Sequence, residues 1–275
     1  MRLIRNLIGF VLVVALALMV LFPAAWTLMG SFKHLKDIVT TEAKFIFTPT
    51  LENYATIFSS VDIYKGVVNS LIISGVATLL GVIFGLPAAY ALSKFKTKRT
   101  PDIMFFILSL RFMPPVAIAI PWISVWLNLN LFDTRVAVIV TYLITSISTI
   151  AWMAVAAFDR VSPQIEEAAY VDGYGQYEIF WRVSLPVAFK SLLGAVAYAF
   201  VVVWNELMIG LILTSSRSTT LPVVAAGYTS MGKEIPWGVL NAATVILAIP
   251  PILVLGLIAQ FMSSVFKHRG SGVKG

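Results

Sequence analysis

Long apolar stretches alternate with polar segments along the whole chain. An α-helix needs about 20 mostly apolar residues to cross a bilayer, where only helices and closed barrels satisfy all their backbone hydrogen bonds. The pattern therefore predicts an all-α membrane protein whose six transmembrane helices form a single domain over residues 1–275. The predicted spans are, approximately, residues 7–30, 67–92, 103–126, 136–158, 187–213 and 242–266.

The distribution of lysine and arginine predicts the orientation of these spans. Cytoplasmic loops carry an excess of both residues, and short loops count most. With the N-terminus inside, twelve of them fall on cytoplasmic segments and seven on the opposite side, and the cluster Lys94–Arg99 is decisive. Both termini are therefore predicted to be cytoplasmic. Arg2 and Arg5 precede an apolar run that is too long for a signal peptide and lacks a convincing cleavage site, so we predict a retained helix.

Composition and charge exclude several classes of function. Only 12% of the residues are charged and the mean hydropathy is +0.90, whereas soluble domains carry about 25% charged residues. The net charge of +7 is explained by topology and by anionic lipid, so it argues little for nucleic acid. The chain has no cysteine, and its two histidines, His34 and His268, fall in loops on opposite sides, so no metal site is predicted. No Gly-x-x-x-x-Gly-Lys-Ser/Thr phosphate loop occurs, so ATP-driven work requires a partner.

The polar segment at about 159–186 carries the clearest local signals. Ser162 suits an N-cap and Pro163 the first helical position, so a helix is predicted to begin there. Gly173 can adopt a positive φ and end this helix after about ten residues. A second short helix is predicted over Gln176–Ser184, ended by Pro186.

The first of these helices has a distinctive surface. Glu166 and Glu167 lie near its positive end. One face combines a branched residue, two small residues and an acid: Ile165, Ala168, Ala169 and Asp172. The adjacent alanines allow another surface to approach the backbone closely. Two interpretations remain open, a compact foot that another protein grips and an amphipathic connector on the membrane surface.

Two polar features lie inside the predicted spans. Arg111 can snorkel to the headgroups, meet a buried partner or contact a substrate. Just beyond it, three prolines interrupt the same helix and predict a kinked span lining a path: Pro114, Pro115 and Pro121. Near the outer end of the fifth span, the sequence Trp204-Asn205-Glu206 offers a stacking face, an amide and a carboxylate, which suit either a sugar or hydrogen bonding between helices.

Other signals indicate packing. Leu51–Phe58 is predicted to form a short amphipathic helix over the helix ends. Small and kinking residues in the second and sixth spans favour close helix packing and bending: Gly75, Gly81, Gly85, Pro87, Pro250 and Pro251.

The sequence Glu167-Ala168-Ala169, followed by Gly173 and closed by Val183-Ser184-Leu185-Pro186, resembles a known signature. It is similar to the Glu-Ala-Ala, three residues, Gly, nine residues, Ile-x-Leu-Pro motif of the permease subunits of bacterial ATP-binding-cassette (ABC) importers. Similarity to the carbohydrate-uptake branch, which includes the smaller maltose permease, rests on three further segments: Trp204-Asn205-Glu206, Leu221-Pro222-Val223 and Gly272-Val273-Lys274-Gly275. The chain departs from the family pattern at Tyr174-Gly175, Phe189-Lys190 and Leu207.

The resemblance implies the type I ABC importer permease fold, in the inner or plasma membrane of a bacterium or archaeon. The chain would form half of the translocation path for a sugar or polyol and would itself be non-catalytic. It would bind no cofactor, because ATP and Mg belong to the ATPase. The implied partners are a second related permease subunit, two copies of a cytoplasmic ABC ATPase, an extracytoplasmic solute-binding protein and the sugar or polyol.

The resemblance also implies roles for individual residues. The coupling helix, which docks on the ATPase, would use Glu166, Glu167, Ala168, Ala169, Asp172 and Gly173. The polar and kinking positions within the spans, described above, supply the candidate path residues: Arg111, Pro114, Trp204, Asn205 and Glu206. An outer loop resembles the one that reaches into the binding protein, although its residues suit an ordinary connector equally well: Tyr228, Met231 and Trp237.

Three alternatives remain. The nearest is a permease for a sugar phosphate such as glycerol 3-phosphate. A self-sufficient secondary transporter often carries paired internal repeats and more buried carboxylates, which the sequence does not show. A membrane-embedded enzyme would need clustered acids, histidines or a nucleophile at one depth, and none is apparent.

Overall fold

The computed structural model describes the backbone of residues 2–230 and 235–270 and the side chains of residues 6–229 and 235–262. The chain is 80% helical, and its described part contains no strand. The α-helices in chain order are Arg2–Ser31 (α1), Leu35–Ile38 (α2), Glu52–Ser59 (α3), Val61–Lys94 (α4), Thr100–Phe112 (α5), Pro115–Asn128 (α6), Arg135–Phe158 (α7), Pro163–Val171 (α8), Gln176–Glu178 (α9), Leu185–Trp204 (α10), Met208–Leu213 (α11), Leu221–Gly227 (α12) and Trp237–Gly270 (α13). A π-helical turn, Ile179–Ser184, joins α9 to α10, and a 3-10 turn, Tyr228–Ser230, follows α12.

Five helical stretches among the described residues are long and apolar enough to cross a membrane: Asn6–Ser31, Val61–Lys94, Arg135–Phe158, Gln176–Trp204 and Trp237–Met262. Helices α5 and α6 together supply a sixth, broken span, bent by 87°. The predicted all-α membrane architecture is confirmed, with one of its six spans in two pieces. The cytoplasmic placement of both termini stays a prediction.

The third predicted span is broken rather than kinked. Met113 and Pro114 both adopt extended backbone conformations, with ψ of 128° and 133°. The residue before a proline is driven out of the helical region by the proline ring. Because two prolines follow Met113 in succession, the helix cannot continue through them. Pro121, in contrast, remains inside α6.

The fifth predicted span also differs from expectation. The expected stop at Pro186 was wrong, because the helix runs from Gln176 to Trp204. Leu185 donates its N–H to the carbonyl of Phe180, five residues back, so a widened turn precedes the proline and the chain stays helical. At its other end this helix stops at Trp204, and α11 follows as a separate turn.

The residues group into two compact units. One comprises the described residues up to Tyr64 together with Val224–Ile249, and the other runs from Lys65 to Val223 and continues from Pro250. The prediction of a single domain stays a prediction.

In the first unit, α3 covers the C-terminal end of α1. The Asn53 amide donates to the carbonyls of Ser31 and Lys33, both at 2.9 Å. The hydroxyls of Ser31 and Tyr54 lie 2.8 Å apart. The short amphipathic helix predicted in this loop is therefore present, and it packs over a helix end as expected.

In the second unit, α7 is the central helix and packs against α4, α5 and α10. Close approach between α4 and α7 depends on two glycines. A Cβ on Gly81 would overlap the side chain of Ser146, and a Cβ on Gly85 would lie 3.1 Å from Ile150. These positions support the predicted close packing, whereas Gly75 faces open space. Helix α4 thus runs against α7 across the apolar core.

Candidate functional site

Helix α8 begins and ends as the sequence predicts. Pro163 occupies its first turn, although the Ser162 hydroxyl bonds to the Gln164 side chain instead of capping a backbone N–H. At the other end Gly173 has φ +88°, and its N–H donates to Tyr170 while the next N–H donates to Ala169. This pair of hydrogen bonds is the Schellman motif, which requires a residue with positive φ.

A salt bridge fixes α8 to the end of α4. The Lys94 ammonium lies 3.0 Å from the Glu166 carboxylate and donates to the carbonyl of Val161 at 3.0 Å. Glu166 also accepts a hydrogen bond from the Ser184 hydroxyl in the π turn. Glu166 therefore joins α4, α8 and the base of α10 within one network.

A second contact reinforces this attachment. The Ser93 hydroxyl donates to the Asp159 carboxylate at 2.8 Å, and the exposed Lys96 lies 3.4 Å from the same group. The sequence had suggested only a topological role for Lys94 and Lys96. Their partners could not be identified from spacing, because they are more than sixty residues away in the chain.

Much of the surface of α8 is exposed and partly apolar. Glu167, Ala168 and Asp172 are exposed, whereas Ala169 is only 7% exposed and packs inside the chain. Of the two alanines predicted to receive another surface, only Ala168 is accessible. Large apolar or aromatic side chains in α8 and in the segment after it are also exposed: Ile165, Tyr170, Val171, Tyr177 and Trp181.

A cleft of about 630 Å³ lies between this helix and the end of α4. Its lining includes Tyr90, Lys94, Phe95, Glu166, Glu167 and Gln176. The cleft is open and mixes cationic, anionic and aromatic groups. We call the segment 159–186 together with this cleft the coupling region, after the role that the sequence resemblance implies for it.

Arg111 lies at the C-terminal end of α5, next to the break in the third span. Its guanidinium faces two aromatic rings, with Cζ 5.3 Å from the centre of Trp152 and 5.8 Å from that of Tyr198. Within the described part of the chain no ion pair involves Arg111. The cation is thus stabilised by ring faces and by the negative end of α5.

An apolar cavity of about 480 Å³ lies beside the break between α5 and α6. Its lining includes Leu110, Met113, Pro121, Trp122, Ile144 and Ser148. Pro114 is exposed at the break itself. The elbow of the broken span therefore borders an accessible hollow.

The three residues of the sequence Trp204-Asn205-Glu206 point to different places. Trp204 is only 1% exposed, and Asn205 is exposed with its amide bonded to the Val201 carbonyl. The Glu206 carboxylate accepts backbone hydrogen bonds from the start of α11, at 2.9 Å from Ile209, and a hydrogen bond from Tyr142 at 3.1 Å. Glu206 therefore caps α11, which explains why the helix breaks here.

Two residues of the predicted outer contact loop are described. Tyr228 is half-buried, and Trp237 is exposed at the start of α13. Met231 lies outside the described residues, as does the terminal Gly272-Val273-Lys274-Gly275 segment.

Sequence reasoning missed a polar clasp at the end of α7 remote from the coupling region. The Asp133 carboxylate accepts hydrogen bonds from four consecutive backbone N–H groups, at 3.0 to 3.2 Å: Ser215, Ser216, Arg217 and Ser218. Burial acts to raise the pKa of Asp133, but these four donors outweigh it and hold the pKa well below its usual value. Asp133 is therefore a permanently charged anchor for this loop.

Asn69 on α4 completes the clasp. It is 1% exposed, and its amide donates to the carbonyls of Arg217 at 3.1 Å and Thr219 at 2.9 Å, while its oxygen accepts from Arg135 at 2.8 Å. Ser70 accepts the Leu221 N–H at 2.8 Å. We call Asn69, Ser70, Asp133 and the loop 214–221 the loop clasp. The only sequence signal for Asn69 was its position, next to Ser70, within an otherwise apolar run.

The chain is similar to known membrane transport proteins. Residues 77–269 match the model of the family described as binding-protein-dependent transport system inner membrane component. The chain is similar to the inner membrane ABC transporter permease protein YcjP of Escherichia coli, with 32% identity over 98% of this chain and 96% of that one. It is also similar to the sulfoquinovosyl glycerol transport system permease protein SmoH of Agrobacterium fabrum, with 30% identity over 87% and 84% of the two chains.

A solved structure shares the fold. A chain of a bacterial ABC transporter involved in the import of the acidic polysaccharide alginate superposes with a TM-score of 0.76. The match covers 94% of this chain and 96% of that one, at 20% sequence identity.

Proposed function

The chain belongs to the family of binding-protein-dependent transport system inner membrane components, and from this premise we propose that its coupling region transmits the work of a cytoplasmic ABC ATPase to the membrane spans. The chain has the type I ABC importer permease fold and is a multi-pass inner-membrane protein. ATP hydrolysis resides on a separate subunit in such systems.

The attachment of α8 supports the coupling role most directly. A short helix on a flexible loop would not transmit force, but this one is joined to α4 by the Lys94–Glu166 pair and to the base of α10 by Ser184. Its exposed surface includes Ala168 and Val171 and is partly apolar. Exposed apolar patches rimmed by polar residues are typical of protein interaction sites. The docking residues are Glu167, Ala168, Asp172 and Gly173, whereas Glu166 and Ala169 hold the helix in place.

The substrate we propose is a sugar or polyol. The support comes from the relative SmoH and from the alginate transporter, whose names specify carbohydrate substrates. A sugar phosphate such as glycerol 3-phosphate is the alternative, favoured by the cation of Arg111 at the end of α5, next to the break in the span.

For the path we propose the elbow between α5 and α6. Arg111 and Pro114 lie next to the break, and Trp152 and Tyr198 present aromatic faces to Arg111, on which sugar rings stack well. Asn205, exposed at the end of α10, is a further proposed path residue. Trp204 and Glu206 do not present free groups to this path in this conformation. The Trp204 side chain is buried, and the Glu206 carboxylate caps α11, so we propose that both support the path by holding its helices in position.

Further proposed partners are a second related permease subunit and an extracytoplasmic solute-binding protein. Tyr228, Met231 and Trp237 are the proposed contacts with the binding protein, and the exposure of Trp237 supports this role.

Reconstitution in lipid vesicles tests the proposal. The chain is purified with the proteins that accompany it in its native membrane, and uptake of radiolabelled maltose, sorbitol and glycerol 3-phosphate is measured with and without ATP. We expect uptake only from the complete assembly with ATP and binding protein present. Uptake by the isolated chain would instead support a secondary transporter, and uptake restricted to glycerol 3-phosphate would replace the sugar or polyol with the alternative substrate.

A further inference from the structure

The loop clasp and the coupling region lie at opposite ends of the same two helices. Asn69 and Ser93 are both on α4, and 24 residues of continuous helix correspond to about 36 Å. Asp133 and Asp159 flank α7 in the same way, because α7 begins at Arg135 and ends at Phe158. At one end both helices bind the loop 214–221, and at the other both bind the coupling region.

The covalent connection between the same two regions is weaker mechanically. Along the chain, the coupling region reaches the loop 214–221 through the π turn, α10 and α11. That route is interrupted by three non-helical residues, 205–207, between α10 and α11. Helix α4 contains Pro87 but is continuous from Val61 to Lys94, and α7 contains neither a gap nor a proline, so force passing through α7 in particular meets fewer bendable points.

We propose that Asn69 and Asp133 are positioning residues that lock the loop 214–221 to α4 and α7, so that this loop moves as one body with the coupling region. The inference rests on the proposed function, since it requires an ATPase that moves the coupling region. It adds a role for two residues at the far end of the spans. When the ATPase shifts α8, the loop 214–221 is displaced by the same amount and in the same direction.

The chemistry of the clasp suits a rigid joint. Both side chains are buried, and every polar atom of Asn69 and Asp133 has a hydrogen-bond partner. Buried polar networks that are fully satisfied hold a single arrangement, because any rearrangement exposes unpaired donors or acceptors. Asp133 adds a full charge, and hydrogen bonds to charged groups are stronger than neutral ones.

Distance measurements in the assembled transporter test this inference. The chain contains no cysteine, so Arg160→Cys and Arg217→Cys place spin labels at two exposed positions, beside the coupling region and in the loop. The partner subunits are used in cysteine-free form. We expect one narrow distance distribution that is the same without nucleotide and after trapping with ATP and vanadate. A nucleotide-dependent change in this distance would overturn the inference.

Variants of the clasp provide the second arm. In Asp133→Ala and Asn69→Leu, the loop should be released, and the equilibrium between bound and free loop should shift at least about tenfold, which broadens the distribution. Substrate transported per ATP hydrolysed should fall, while basal ATP hydrolysis is retained. The matched control is Asp62→Ala, which removes an exposed acid from the first turn of α4 and should leave the distribution unchanged.

Misfolding and failure of the proposed function give different results. Asp133→Asn retains the size of the side chain and is therefore the variant least prone to misfold. Copurification with the ATPase shows whether each variant is assembled. Assembled variants with the unbroadened distance of the parent chain would overturn the inference. A parent chain that copurifies with no ATPase would contradict the proposed function itself, before any distance is measured.

Discussion

The ammonium of Lys94, at the last position of α4, lies 3.0 Å from the carboxylate of Glu166 in α8, and both side chains are only 14% exposed. This pair is a direct ionic link between the span α4 and the helix α8, for which we propose the coupling role. Removing one partner leaves a largely buried charge alone, which is more costly than losing a surface ion pair.

We therefore expect Lys94→Met to lower the free energy of unfolding by about 1 to 3 kcal/mol and to reduce ATP-driven uptake. Denaturant titration in detergent and vesicle uptake measure the two effects. The control is Lys96→Met, which removes an ion pair that is 69% exposed on the lysine side and should cost about 0.5 kcal/mol or less. Equal losses in both variants would contradict a special role for Lys94.

Gly173 should tolerate no other residue well. Its φ of +88° is strained for any L-residue, so Gly173→Ala should cost about 1 kcal/mol, and Gly173→Pro should disrupt the end of α8. Stimulation of the ATPase should fall while membrane insertion is retained. Gly175 has φ −73°, and an added Cβ would make only an ordinary contact, 3.9 Å from the Glu178 carboxylate, so Gly175→Ala supplies the control and should be nearly neutral. Stimulation unchanged in Gly173→Pro would count against the coupling role of α8.

The neighbouring alanines should respond differently to added bulk. Ala168 is exposed and Ala169 is buried within the chain. Ala168→Leu should leave the stability unchanged and weaken binding to the ATPase, as measured by copurification. Ala169→Leu should lower the stability itself by about 1 to 3 kcal/mol, because it overpacks a filled site. The reverse pattern would show that the other face of α8 meets the partner.

Asp133 should contribute to stability across the physiological pH range. Its pKa in the folded chain is lowered from the usual 3.8, so its contribution is complete above that value and is lost only as the pH falls through the lower, folded pKa. The difference in thermal stability between the parent chain and Asp133→Asn should therefore be constant from about pH 5 to 8 and should shrink below about pH 4. A difference that changes between pH 5 and 8 would mean that the four N–H donors do not hold the charge.

Single-cysteine labelling can test the orientation. The chain has no native cysteine, so Lys98→Cys and Arg217→Cys each introduce a unique thiol at an exposed position. In intact cells an impermeant maleimide should label position 217 and leave position 98 unlabelled until the membrane is opened. Labelling of position 98 from outside would reverse the predicted topology.

Local signals predicted the regular parts of this fold well. Ser162, Pro163 and Gly173 mark the ends of α8 to within about a residue, because caps and positive-φ positions act over one helical turn. The helical spans could be predicted from hydrophobicity, because the thickness of the bilayer sets the length of each apolar run.

The interruptions and the clasps were harder to predict. Glu206 ends the fifth span by capping the next helix and bonding Tyr142, which is 64 residues away. Asn69 and Lys94 find partners as much as 150 residues away. Such pairings depend on how the helices pack, and a single sequence contains no record of it.

The π turn at Ile179–Ser184 also fixes the rotation of the segment before it about the helix axis. A π turn contains one residue more than an α turn, and one residue corresponds to about 100° of rotation about a helix axis. Deleting a single residue there would swing the preceding segment by more than a quarter of a revolution and carry Glu166 away from Lys94. One additional residue in an otherwise α-helical segment thus sets the rotation of the chain before the π turn relative to the span that ends at Trp204.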